Sequence, residues 1–146
     1  MAPVTISARI RPDTAERLKD HASFEDRSVS DIVNRALEEY LRCDQFPGIH
    51  FVTGGSGRRK AKLLGGPDVW SVVFTAKNHE MDARRTAEYL AIPDNKVRLA
   101  LAYYAAYPDE ADARLRRMAE ADNDPSSIHP SIQVFTIEGA ADEAAA

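Results

Sequence analysis

The chain has very little cysteine: one residue, Cys43, in 146. That excludes an internal disulfide, and a lone cysteine expected near a helix end is read as having no chemical role. No apolar run reaches the length that spans a bilayer, and the first residues lack the apolar core of a secretory signal. A cytoplasmic protein with no membrane partner is therefore expected. The four histidines, His21, His50, His79 and His129, stand apart without metal-ligand spacing, and the chain contains no HExxH, GxSxG or CxxC. The glycine-rich Gly54-Gly55-Ser56-Gly57 lacks both the spacing and the Lys-Ser/Thr ending of a P-loop. Asp109, Glu110 and Asp112 could be paired as catalytic acids, but carboxylates opening a helix ordinarily complement its dipole. No enzyme, no cofactor and no metal are expected.

Excess positive charge is also missing: the net charge is −4. Its distribution says more than its sum. Residues 1–42 hold seven Lys/Arg against eight Asp/Glu, residues 43–66 four against one, and residues 108–146 three against nine. Acid gathers at the C-terminal end. The compact basic run is Arg58, Arg59, Lys60 and Lys62. It is read equally as a contact for nucleic acid or a partner and as a solvated edge that resists aggregation.

What is present is concentrated at the N-terminus. Val4-Thr5-Ile6-Ser7-Ala8-Arg9-Ile10 alternates, with Ile6, Ala8 and Ile10 on one face and Thr5, Ser7 and Arg9 on the other. A strand this short has an edge that a second copy of the chain can pair. Pro12-Asp13 opens a helix, and Ser28-Val29-Ser30-Asp31 has capping-box character. The stripe Val29, Ile32, Val33, Ala36, Leu37, Tyr40, Leu41 then marks a second helix with a wide apolar face. About 40 residues bury such a face poorly alone, and an intertwined dimer supplies both the missing strand and the missing core.

These residues, from Val4 through Ile10, Pro12-Asp13, and Ser28 through Leu41, resemble the ribbon-helix-helix repressors of the Arc, MetJ and CopG type. The resemblance implies that Thr5, Ser7 and Arg9 read base edges of double-stranded operator DNA. It also implies that backbone N–H groups at Ser28, Val29 and Ser30 hold a DNA phosphate. The dimer core would comprise Ile6, Ala8, Ile10, Ile32, Val33 and Leu37. One departure is the turn, where Glu25-Asp26-Arg27 stands in place of a glycine; aspartate tolerates the left-handed conformation better than most residues.

After Arg42 the pattern breaks into a linker, a strand over 49–53, a glycine turn and a returning strand over 58–64. Helices are expected over 69–78, 83–90, 95–107 and 109–121, with Pro67, Pro93 and Pro108 at their boundaries. Ala87, Ala91 and Val97 have helix-turn-helix spacing, but any tight helical hairpin selects small residues there. Lys96 and Arg98 are the obvious candidates for DNA contact there, whereas Leu99, Leu101, Tyr103 and Tyr104 read as packing residues, and a purely structural role for this helix is the favoured reading. Phe46-Pro47-Gly48, Leu64-Gly65-Gly66, Val69-Trp70, Thr86-Ala87-Glu88-Tyr89-Leu90 and the run from Val97 to Tyr104 before Tyr107-Pro108-Asp109-Glu110 resemble a small domain of unknown function that accompanies toxin–antitoxin operons.

The expected architecture is mainly α with short β. Residues 1–42 form the ribbon-helix-helix domain of an intertwined dimer, and 43–124 a β-hairpin plus helical, helix-turn-helix-like domain. Residues 125–146 form a tail, with Ile128, Ile132, Val134, Phe135 and Ile137 as an added strand or a partner-binding segment. Two functions stay open. One is an antitoxin of a type II toxin–antitoxin system that represses its own operon and neutralises a toxin through its C-terminal part. The resemblance points to a PIN-like toxin. The other is a free-standing dimeric regulator whose second domain oligomerises or senses a ligand. Higher oligomers on DNA are compatible with either, and a protein-interaction module without a DNA role is a third, weaker reading.

Overall fold

The structure is a computed structural model of the single chain and describes residues 2–123. Among these it is mainly helical, with a two-stranded antiparallel hairpin and six helices. Residues 2–11 are exposed and have no regular secondary structure: the strand expected over 4–10 does not form in the single chain, where the arm finds no strand to pair with among the described residues. Helix α1 (Pro12–Phe24) starts on Pro12, whose fixed φ suits the first turn and whose missing N–H costs nothing there. It stops at a turn in which Asp26 adopts φ +52°, the left-handed position expected of that aspartate. Helix α2 (Val29–Gln45) follows, with Ser28 as its cap: the Ser28 hydroxyl accepts the Asp31 N–H at 3.0 Å.

Helix α2 does not stop at residue 42. It runs on to Gln45, because its last turns are held by the second half of the chain. The Arg42 guanidinium donates to Glu38 at 2.8 Å and to the Tyr103 hydroxyl at 3.2 Å, and lies 4.0 Å from the Tyr107 ring centroid. Tyr107 donates to Gln45 at 2.8 Å. The expected linker is thus a short Phe46–Pro47–Gly48 corner. Gly48 is required there: its φ is +102°, and a Cβ would stand 2.9 Å from the Leu99 side chain.

Strands β1 (Ile49–Thr53) and β2 (Arg59–Leu63) pair with Ile49 opposite Leu63 and Phe51 opposite Ala61. Those four residues share the face that meets α3 (Val69–Asn78) and α5 (Asp94–Ala106). The outer edge of β2 is closed from α6 (Pro108–Asn123), where Glu110 accepts the Ala61 N–H at 2.6 Å. The core is built from Leu63, Val72, Val73, Val97, Ala100 and Tyr103, all essentially without exposure. Between α4 (Ala83–Leu90) and α5, Ala91 takes φ +53° and the Ile92 N–H returns to the Ala87 carbonyl at 3.1 Å. With Ala87 and Val97 buried, this is a tight helix-turn-helix corner. The expected segment 128–137 lies outside the described residues.

No described helix is long and apolar enough to cross a membrane. No group of three or more potential metal-binding side chains occurs among the described residues.

Candidate nucleic-acid interface

The arm is exposed along its whole length, so both of its expected faces are open. Thr5, Ser7 and Arg9 are solvent-facing, and so are Val4, Ile6 and Ile10, with Ile6 at 87%. The apolar exposure continues on the helices at Phe24, Val29, Leu37, Tyr40 and Leu41. Large apolar side chains left open in this number make this half the candidate interaction face. The residues assigned to a dimer core divide. Ile6, Ala8, Ile10 and Leu37 are open, Val33 is half-buried, and Ile32 at 4% is already buried within the chain, like Ala22 of α1.

The α1–α2 hairpin is fixed by charge as well as by packing. Arg35 of α2 holds the Glu25 carboxylate through two bonds of 2.7 and 2.9 Å, a fork-to-fork geometry. His21 approaches the same carboxylate at 2.8 Å. The hydrogen bond from Arg35 is the main reason the Glu25 carboxyl is held below its ordinary range; the reciprocal bond raises Arg35. Spanning ten residues across a turn, this pair has no periodic signature in the sequence. It sets the start of α2, where the N–H groups of Val29 and Ser30 make no backbone hydrogen bond among the described residues. Ser28, Val29 and Ser30 are all exposed there, as an anion contact requires.

The basic run on β2 is not four equivalent cations. Arg59 is committed: it holds Glu39 of α2 at 2.6 and 2.8 Å and reaches the Phe51 carbonyl and the Thr53 hydroxyl. Lys60 is paired with Asp68. Arg58 and Lys62 make no ion pair among the described residues. The cations of α5 are also occupied. Arg98 binds Asp94 at 2.6 Å, and Lys96 donates to the Leu64 and Gly65 carbonyls. Leu99, Leu101 and Tyr104 pack against the core beside the buried Tyr103, whose phenol is pushed up by burial. Helix α5 therefore serves packing, and its corner offers little free charge to a phosphate backbone. Cys43 is half-buried and burial raises its thiol, which leaves it less nucleophilic.

In comparisons with known proteins, the chain matches no family model, no curated protein and no solved structure.

Proposed function

We propose that this protein is a homodimeric, sequence-specific DNA-binding transcriptional repressor. Its reading element is a ribbon made from residues 4–10 of two protomers. The observation that carries this reading is an arm with no strand partner among the described residues, together with large apolar side chains left open on α1 and α2. Antiparallel pairing of two arms satisfies both edges. It lays Ile6, Ala8 and Ile10 against the exposed Leu37 region and turns Thr5, Ser7 and Arg9 outward. A two-stranded ribbon fits the major groove, where hydroxyls and a guanidinium read base edges. The uncapped N–H groups at the start of α2 are suited to an adjacent phosphate.

The ribbon-helix-helix resemblance, with that of the second half, extends the proposal to an antitoxin that represses its own operon and neutralises a small toxin through residues beyond Arg42. A specific observation favours the alternative, a free-standing regulator. Residues 46–115 already close a core of their own and do not depend on a partner to bury it. In that reading the second half oligomerises or senses a ligand.

Two measurements test the proposal. Light scattering should give a dimer, and that dimer should shift DNA from upstream of its own gene with an affinity that falls with salt. A monomer with no affinity for that DNA overturns it. Affinity purification with mass spectrometry separates the two versions. A co-eluting partner that arrests growth when expressed alone supports the antitoxin, whereas recovery of the protein with DNA alone supports the free-standing regulator.

A further inference from the structure

A second charged feature lies away from the arm. Between the glycine-rich hairpin turn and α6 is a concave pocket of about 750 Å³, lined by Arg58, Arg59, Lys60, Trp70, Arg114 and Arg117, with Glu110 as the acid in its lining. Its size is that of an ordinary small-ligand site. The cations converge from separate parts of the chain: Arg58 from the turn, Lys60 from β2, Arg114 and Arg117 from successive turns of α6. Sequence proximity links Arg58 with Lys60 and Arg114 with Arg117, but not one pair with the other.

The local carboxylates are already used. Glu110 accepts the Ala61 N–H at 2.6 Å and the Tyr103 hydroxyl at 3.1 Å. Asp68 holds Lys60 and accepts the Trp70 indole N–H at 3.1 Å, and Glu39 holds Arg59. Arg58, Arg114 and Arg117 are exposed and have no ion pair among the described residues. Arg114 lies 5.1 Å from the Trp70 ring centroid. Three guanidinium groups without an ion pair around one pocket, one of them against the Trp70 ring, are a local concentration of positive charge in a chain of net charge −4.

We propose that this pocket binds a phosphate-bearing ligand, a nucleotide or a polynucleotide backbone, through Arg58, Arg114 and Arg117 with Trp70 as an apolar wall. Guanidinium forks match phosphoryl oxygens, and an indole face accepts a base by stacking. Phosphoryl groups concentrate several charges within a few ångströms, which suits three arginines at one pocket. An acidic peptide spreads single charges along its length. This inference is independent of the ribbon.

Trp70 is the chain's sole tryptophan, so its emission reports on this pocket and not on the arm. The full chain is titrated at matched ionic strength with pyrophosphate, ATP, a thymidine oligonucleotide and polyglutamate. A saturable change in Trp70 emission with a phosphate-bearing probe is expected. Arg58→Gln/Arg117→Gln should weaken it by roughly a hundredfold, since each of the two charged hydrogen bonds lost is worth about tenfold. Arg84→Gln/Arg85→Gln on α4 should leave it unchanged. Calorimetry covers Arg114→Gln, where the indole's surroundings change directly, and circular dichroism checks that each variant is folded. Tighter binding of the oligonucleotide identifies a polynucleotide backbone as the source, and tighter binding of ATP a free nucleotide. The proposal is overturned by an absent saturable response, by one undiminished in the double variant, or by polyglutamate binding as tightly as the phosphates. Arg9→Ala should leave the Trp70 response intact, so failure of the ribbon and failure of this pocket are distinguishable.

Discussion

The two halves of this chain treat apolar side chains in opposite ways. In residues 46–123, Leu63, Val72, Val73 and Val97 have no exposure at all. In residues 2–45, Ile6, Phe24, Leu37, Tyr40 and Leu41 are mostly open, and just Ala22 and Ile32 are buried. Both halves have helices with apolar stripes, so the difference is not one of composition. The second half has a sheet face and four helices with which to enclose its stripe. The first has a two-helix hairpin and an arm, too few layers to close a core. A half that closes its own core is thus joined to a half whose apolar face stays open in the single chain.

Reciprocal aspartate substitutions should break that comparison most strongly. Val72→Asp puts a charge in a closed core and should abolish the cooperative melting of the second half. Leu37→Asp should keep helicity and melting while removing dimer and DNA binding together, read by light scattering and circular dichroism. A folded Leu37→Asp dimer would sink the idea that this face is shared. Next in size, Leu63→Ala should cost about 2–5 kcal/mol in denaturant unfolding of the chain. Leu37→Ala should cost far less under conditions where the protein is monomeric; equal costs would remove the contrast. Arg9→Ala, on the outward face of the arm, should reduce specific DNA affinity by about 1–3 kcal/mol with the dimer intact. Unchanged operator binding removes the ribbon as the reader.

Much of the local structure was legible. The helices expected over 69–78 and 83–90 are α3 and α4, and those expected over 95–107 and 109–121 are α5 and α6 within two residues. Proline punctuation and apolar periodicity are local signals, and local signals define elements. The turn aspartate belongs to the same class: Asp26 at φ +52° follows from a side chain that tolerates that conformation. The end of α2 was not legible, because Arg42, Glu39 and Gln45 are held by Tyr103, Arg59 and Tyr107 far along the chain.

Two smaller effects sharpen the contrast further. Ala91 carries a left-handed backbone without glycine's freedom. Ala91→Gly should therefore raise stability of the second half by about 0.5–1 kcal/mol in denaturant melts. A destabilised variant would mean that the methyl group packs usefully. In the first half the charged fastener is Glu25–Arg35. Because folding lowers the Glu25 carboxyl, its contribution is present above the ordinary carboxylate range and is lost as pH falls through the lowered value. Acid titration should loosen the α1–α2 hairpin before the second half, and Glu25→Gln should flatten that dependence. Simultaneous acid loosening of both halves in the native chain argues against this fastener.

The sequence by itself determined the elements, the alternating arm, the cap at Ser28 and the left-handed turn, since each depends on residues within a few positions of one another. Tertiary structure decided which apolar residues are already covered, making Ile32 an internal residue and leaving Leu37 outside. It also decided which cations are free. Arg59, Lys60, Lys96 and Arg98 are bound by partners within the chain, whereas Arg58, Arg114 and Arg117 line one pocket without an ion pair among the described residues. A side chain's charge is written in the sequence, but its compensation depends on neighbours that meet only when the chain has folded.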